Sequence, residues 1–312
     1  MQSLSFSRSR TASTYDSKAD MWEQQLVNGL VSGGVYALFA LGLTLVFGVL
    51  DILNLAHASV FMLAAFTALL VVDQGIPFPI AIVVATFVAG LLGILLERVA
   101  FRPIRDRADS NLSGLLTSIA ASIILAAGAL AFFGPDAYRY PRGSLPDHTF
   151  AFANVRLTAL QLLTLVLSVV MMVGLKLLLD RTSFGRSIRA IAEKPLAARV
   201  VGVNINQTIA GTFFLSGALG GLAGVLYGLL FNTMTADMGD TILLKGLAVI
   251  ILGGMASVTG AAVAGFVLGL VEVFTVQGIG SEWRDAVAFG VIFVILVVRP
   301  TGLFGLRRVR EI

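Results

Sequence analysis

Cysteine is absent from this 312-residue chain. Its absence excludes disulfides, thiolate metal sites and a cysteine nucleophile. Histidine occurs only at His57 and His148, too few for a histidine-built centre, so no metal site is expected. Charge is scarce as well. Charged residues make up 13% and apolar residues 57%, where soluble domains carry about 25% and 45–50%. Such a chain cannot clothe a water-soluble globule and reads as an integral membrane protein. The net charge of +4 does not point to nucleic acid. The basic residues fall in short clusters between apolar runs, where they act as orientation signals at a lipid surface.

What is present is a succession of apolar runs, at about 22–50, 55–72, 78–97, 112–133, 157–179, 206–231, 241–253, 257–276 and 283–298. A helix needs roughly 20 apolar residues to cross a ~30 Å hydrocarbon layer. The run at 22–50 is too long for one upright span. The run at 241–253, which contains Lys245, is short enough for a half-helix. The expected fold is all-α, a polytopic transmembrane bundle of about 8–9 segments with broken or half helices, over residues 21–306. A polar, disordered tail is expected at 1–20 and a basic tail at 307–312. Arginine clusters in 97–110, 180–205 and the C-terminal tail put those segments in the cytoplasm and 134–156 outside. Counting crossings puts the N-terminus outside.

Residues 180–206 form the longest polar stretch between spans. Arg186, Arg189 and Glu193 share one face of a helix there. Pro195 disfavours helical geometry at Lys194 and suits a helix start. A second short helix is therefore expected from Pro195 through Ala198 to Val201, ended by Gly202. Asn204 or Asn206 then caps the next span. Such a segment either docks into a partner's groove or lies in the interface with snorkelling arginines.

The run Gly185-Arg186-Ser187-Ile188-Arg189-Ala190-Ile191-Ala192-Glu193, followed by Ala197-Ala198 and Gly202-Val203-Asn204, resembles the coupling segment of ABC importer permeases. More specifically, it resembles the branched-chain amino acid permease family. Asn54-Leu55-Ala56-His57-Ala58, Glu97-Arg98-Val99-Ala100, Gly253-Gly254 with Gly260-Ala261, and Arg299-Pro300-Thr301-Gly302-Leu303-Phe304-Gly305 are similar to further family patterns in the same order. The resemblance covers nearly everything after residue 22. It implies a multi-pass permease subunit of the inner or plasma membrane, not an enzyme, that carries branched-chain or other neutral amino acids. Gly185, Arg186, Arg189, Glu193, Pro195, Ala198 and Gly202 would couple it to ABC ATPase subunits. A second homologous permease and an extracytoplasmic solute-binding protein are the other implied partners. The chain itself is expected to hold no cofactor, ATP–Mg being used by the partner ATPase. Its four lysines are followed by Ala19, Leu177, Pro195 and Gly246, so none has the Lys-Ser or Lys-Thr of a phosphate-binding P-loop. Closely similar permeases carry urea or short amides, which leaves the solute open. An ion-coupled secondary transporter using Asp51 or Glu272 is a further alternative.

Polar groups inside the lipid are costly and default to functional candidates. Asp51, Asn54 and His57 are spaced to form one polar stripe on a helix, lining the solute path or holding a helix break open. Thr44 and Glu272 complete the candidate path, and Glu272 needs a partner, for which Lys245 is available. Glu97 and Arg98 are expected to anchor a span at the interface. Gly217, Gly221, Gly224 and Gly228 form a small-residue stripe for close helix packing. The runs Gly42–Gly48 and Gly246–Gly253 are weakly alike, which raises the expectation of two related halves facing each other near the midplane.

Overall fold

The computed structural model describes residues 6–105, 110–141, 148–152, 155–299 and 301–305. The basic tail at 307–312 lies outside these. The chain forms α1 (Phe6–Leu50), α2 (His57–Asp73), α3 (Phe78–Leu96), a π-helical turn at Glu97–Phe101, α4 (Ser110–Phe133) and α5 (Ala159–Arg181). Then come α6 (Ser183–Glu193), α7 (Pro195–Val200), α8 (Ile205–Phe231), α9 (Met238–Gly253), α10 (Val258–Gly278) and α11 (Arg284–Val298). A small antiparallel hairpin, β1 (Thr149–Phe152) and β2 (Val155–Thr158), interrupts the α4–α5 connection. In hydrocarbon every backbone amide must be satisfied within its own segment, which is why the apolar runs become helices. Among the described residues, six helices are long and apolar enough to cross a membrane. The remaining apolar runs become the shorter α2, α9 and α11.

Residues 6–20, expected to be a disordered tail, instead continue α1 as helix. No glycine or proline interrupts the sequence between Phe6 and Asn28, so nothing in it stops the helix from propagating.

Two ends of the bundle are distinguishable. One carries Arg98, Arg102, Arg105, α6, α7 and the α9–α10 turn; here it is called the basic end. The chain after α11 returns to it, since Leu303 N–H donates to Leu252 O (2.8 Å) and Phe304 N–H to Gly253 O (3.1 Å). The other end carries the hairpin, Tyr138 and Met234.

The core is an inverted repeat. α1 runs toward the basic end, breaks over Asp51–Ala56, and α2 returns. α8 runs away from the basic end, breaks over Asn232–Asp237, and α9 returns. The described non-glycine residues with positive φ are Asp51 (57°) and Asn232 (43°), one at the end of each long helix. Neither short helix starts at a surface. His57, the first residue of α2, lies beside Phe39 and Gly42, about two to three turns short of the end of α1. Gly239, the second residue of α9, lies so near α2 that an added Cβ would meet Ala58 O at 2.6 Å. The partner helices exchange in the same way: α1 packs on α10 and α8 on α3.

Glycine makes those two interfaces close. A Cβ on Gly33 would sit 2.7 Å from Phe266 Cα, and one on Gly269 2.4 Å from Gly33 N. Across α3–α8, a Cβ on Gly217 would lie 2.3 Å from Ala89 O, and one on Gly221 2.2 Å from Ala89 Cβ. Gly224 approaches Phe61 O of α2 in the same way, while Gly228 faces Met234 of the second break. Backbones in contact maximise dispersion where no hydrophobic effect acts between helices. The runs Gly42–Gly48 and Gly246–Gly253 do touch, Gly246 lying against Phe39 and Leu43. They are not equivalents, however: the repeat relates α1 to α8 and α2 to α9, because inverted halves match by connectivity and direction rather than by this local likeness.

Candidate functional site

The first break places its polar residues differently from a helical stripe. Asp51 sits in left-handed geometry, exposed, and 52–56 is not helical, so Asp51, Asn54 and His57 do not line up on one helix face. The extended segment runs along α4 instead: Ser118 Oγ donates to Leu53 O and accepts from Leu55 N–H (both 3.3 Å), and Ser59 Oγ donates to Ser122 O at 3.0 Å. Asn54 is buried, and its Oδ1 has no partner among the described residues. Backbone released from helical pairing must find partners elsewhere, and the α4 serines supply them.

His57 is wedged into the core. A Cβ on Gly42 would meet its ring at 2.5 Å and one on Gly220 at 2.4 Å, so glycine on both α1 and α8 makes room for the imidazole. Its Nε2 lies 3.2 Å from Phe39 O and its Nδ1 3.4 Å from Ser216 Oγ, which itself donates to Gly42 O at 2.7 Å. His57 thus ties the start of α2 to α1 and α8 together. Thr44, one turn below on α1, donates to Ala40 O at 2.8 Å. It also lines a cavity of about 300 Å³ at the basic end, walled by Gly48, Lys176, Ile188, Arg189 and Thr259.

Glu272 lies fully buried on α10 and does not contact Asp51, Asn54 or His57. Its expected partner Lys245 is 2.6 Å away, Nζ to Oε1. Three further residues, not grouped with them from sequence, join them. Tyr36 on α1 donates to Glu272 Oε2 at 2.8 Å, and Arg284 Nη2 donates to the same oxygen at 2.7 Å. Asp285 Oδ1 stands 3.3 Å from Lys245 Nζ. One carboxylate held by two cations and a phenol meets the requirement that a buried charge be paired and hydrogen-bonded. Charge balance was the available signal, because Glu272 and Lys245 on neighbouring spans are followed closely by Arg284-Asp285. Nothing in the sequence marked Tyr36.

The π-helical turn corrects the reading of Glu97. Arg98 is exposed as an interfacial residue should be, but Glu97 is buried, with Arg105 at 3.8 Å. The extra residue in that turn rotates Glu97 inward.

At the basic end α6 and α7 form as the residues foretold. Thr182 Oγ1 caps α6 by accepting from Gly185 N–H at 3.2 Å. A Cβ on Gly185 would overlap Leu179 O, so α6 folds back tightly on α5. Gly202 has φ +85° and ends the segment. Asn204 Oδ1 accepts from Gln207 N–H at 3.2 Å and caps α8. One face is glued to the bundle: Ile188, Ile191 and Ala198 pack with Val46, Val49 and Phe213. The opposite face is free. Arg186, Glu193 and Pro195 are exposed, and Leu196, Val200 and Val201 stand 78%, 86% and 76% exposed. Arg189, though exposed, turns back to donate to Leu179 O and pair with Asp180 at 3.8 Å. Large apolar side chains presented beside charged ones at a bundle end are a docking feature.

At the opposite end the α4–α5 connection is stitched to the second break. Tyr138 and Met234 exchange backbone hydrogen bonds of 2.8 and 2.9 Å, and Asn232 Oδ1 accepts from Tyr140 N–H at 3.1 Å. Burial holds the Tyr140 phenol well above its ordinary pKa, so it stays neutral. Among the described residues no group of His, Asp and Glu side chains is arranged to hold a metal ion.

Residues 25–296 match the family model for the permease component of branched-chain amino acid transport systems. The chain is 32% identical to the high-affinity branched-chain amino acid permease BraD of Pseudomonas aeruginosa, over 93% of this chain and 97% of that protein. It is 30% identical to the permease LivH of Escherichia coli over the same shares. A more distant relative, the autoinducer 2 import permease LsrD of Salmonella, is 23% identical over 86% of this chain. No solved structure matches.

Proposed function

The chain belongs to the family of permease components of branched-chain amino acid transport systems, and from that premise we propose how it works. It is a membrane-embedded permease subunit of an ABC importer. Its solutes are branched-chain or similar neutral amino acids. The basic end faces the cytoplasm, as the positive-inside rule requires. There α6 and α7 seat in a groove of an ABC ATPase subunit, with Leu196, Val200 and Val201 as the inserted face and Arg186, Arg189 and Glu193 as its rim. The single observation that carries this reading is the two-faced α6–α7 unit, fixed to the bundle through Ile188, Ile191 and Ala198. A rigid lever must be attached on one side and free on the other.

ATP–Mg bound by the partner moves that lever. The motion reaches the solute path through cluster Val46–Val49–Phe213, which joins the lever to α1 and α8. Thr44 lies on the same stretch of α1, His57 packs against that stretch from the start of α2, and Asn54 and Asp51 form the joint below α2. The stitched surface of Tyr138, Asn232 and Met234 is where an extracytoplasmic binding protein delivers solute, and a second homologous permease completes the path. For the ion-driven alternative Glu272 is poorly placed, because it is held by Lys245 and Arg284 rather than free to exchange protons. Asp51 is left as its candidate, and dependence of uptake on ATP rather than on a proton gradient separates the two readings.

The test is ATP-driven uptake into proteoliposomes containing this chain, its second permease and its ATPase subunits, with binding protein outside. L-leucine uptake is expected, with urea and acetamide excluded. Leu196→Glu with Val200→Glu should abolish uptake and stimulated ATP hydrolysis while the chain still inserts and folds. Undiminished uptake by that variant rules out the lever; uptake of urea in place of L-leucine rules out the solute class.

A further inference from the structure

A side pocket of about 250 Å³ opens between α9 and α11, lined by Asp240, Thr241, Leu244, Lys245, Asp285 and Phe289. Asp240 and Thr241 are exposed on the first turns of α9, and the Asp285 side chain is 60% exposed on the first turn of α11. Both helices lie in the apolar body of the protein. Carboxylates presented sideways on helices packed within a membrane bundle do not face lipid; they face a water-filled cavity or one another. This flank is therefore wet.

Its charge is also exchangeable. Glu272 is buried and takes both Lys245 and Arg284, at 2.6 and 2.7 Å. Those three groups carry one net positive charge. Asp285 neutralises it from the open side, at the longer distance of 3.3 Å from Lys245 Nζ. A free carboxylate entering the pocket can replace Asp285 on Lys245 without leaving any buried charge unpaired. Asp285, released, then stands with Asp240 as an anionic partner for a cation carried by the same molecule. Leu244 and Phe289 supply apolar wall beside them. Pockets recognise small ligands by such convergence of a few polar groups on an apolar lining.

We propose that this pocket is a station for the zwitterionic head of the solute, with Lys245 taking the α-carboxylate and Asp240 and Asp285 the α-ammonium. The assignment rests on the amino-acid importer reading above and adds the residues that recognise the solute within the membrane. It also gives α11 a role, as the helix whose first turn trades Asp285 for substrate.

The absence of cysteine allows a direct test. In the assembled transporter, single thiols are introduced as Thr241→Cys, Asp240→Cys and, as an outward-facing apolar control on α11, Val294→Cys. A charged methanethiosulfonate reagent reacts only where water reaches. Thr241→Cys and Asp240→Cys should be modified at least tenfold faster than Val294→Cys, and L-leucine should slow the modification of Thr241→Cys several-fold. Isoamylamine and 4-methylpentanoate, which keep the side chain and one charge each, should not. Adding Asp285→Asn to Thr241→Cys should leave modification intact and remove the protection. Modification of both test thiols no faster than the control, equal protection by a single-charge analogue, or protection that survives Asp285→Asn each overturns the proposal. ATP-driven L-leucine uptake by the unmodified complex reads the importer assignment separately, so either can fail alone.

Discussion

The two helix breaks make a natural comparison, because the inverted repeat gives them the same job with different anchors. At the first, Asp51–Ala56, the chain is held inside the bundle by side chains: His57 between Gly42 and Gly220, and the α4 serines on 53–59. At the second, Asn232–Asp237, it is held mainly by backbone: the Tyr138–Met234 bridge and the approach of Gly239 to Ala58 O, with Asn232 Oδ1 on Tyr140 N–H adding a side-chain tie. A side-chain lock can be re-cut by substitution, and a backbone contact cannot. The break toward the basic end is thus wired into the helices that carry the lever, and the other into the loops that meet the outside.

Bulk at the glycines should break both. Gly220→Val and Gly239→Val are expected to lose folded protein altogether, read as loss of monodisperse protein in detergent. The milder pair separates the two locks. Gly220→Ala drives a Cβ into the His57 ring at 2.4 Å and should cost about 1–3 kcal/mol by overpacking. Trimming the ring with His57→Ala in the same chain should return part of that loss, a coupling visible in a double-mutant cycle. Gly239→Ala meets Ala58 O at 2.6 Å, and Ala58→Gly should return none of it. Equal rescue at both sites would erase the distinction between the breaks.

A smaller effect is expected from the α4 stitch. Ser59→Ala removes a hydrogen bond to Ser122 O and should cost about 1 kcal/mol, measured by thermal unfolding in detergent. Because α4 is mostly exposed and meets the bundle through α2 and the π-helical turn, the loss should appear as easier detachment of α4, seen as faster hydrogen exchange of its amides. A loss spread evenly over the whole bundle would place the anchor elsewhere.

How much of this was legible follows from the range of the forces involved. The lever was legible residue by residue, because Pro195, Gly202 and Asn204 act through local backbone rules that need no tertiary context. The apolar runs were legible because lipid imposes one solution on them. The first break was visible as a polar cluster, but Asp51, Asn54 and His57 have the spacing of a helix face, and only the α4 serines decide that the segment is extended. The depth at which α2 and α9 begin was not legible, since it is fixed by Gly42, Gly220 and Gly239 making room from distant helices. Glu97 and the Tyr36–Arg284–Asp285 cluster were missed for the same reason: their partners converge only in three dimensions.

The finest distinction lies in the two left-handed residues. Asp51 (φ 57°) and Asn232 (φ 43°) both end a long helix in a conformation that costs a side-chain-bearing residue about 1 kcal/mol relative to glycine. Replacing either with glycine relieves that strain equally. The side chains are not equivalent, though. Asp51 is exposed, and while its N–H donates to Phe47 O at 2.8 Å, its side chain has no hydrogen bond or ion pair among the described residues. Asn232 Oδ1, by contrast, accepts from Tyr140 N–H at 3.1 Å, a bond worth about 0.5–1.5 kcal/mol. Asp51→Gly should therefore leave stability unchanged or raise it by up to about 1 kcal/mol. Asn232→Gly should gain nothing net, because the amide of Tyr140 loses its partner as the strain is relieved. A shift in unfolding temperature of the same sign and size for both variants would mean that Asn232 holds no loop, and that the external stitch rests on the Tyr138–Met234 bridge alone.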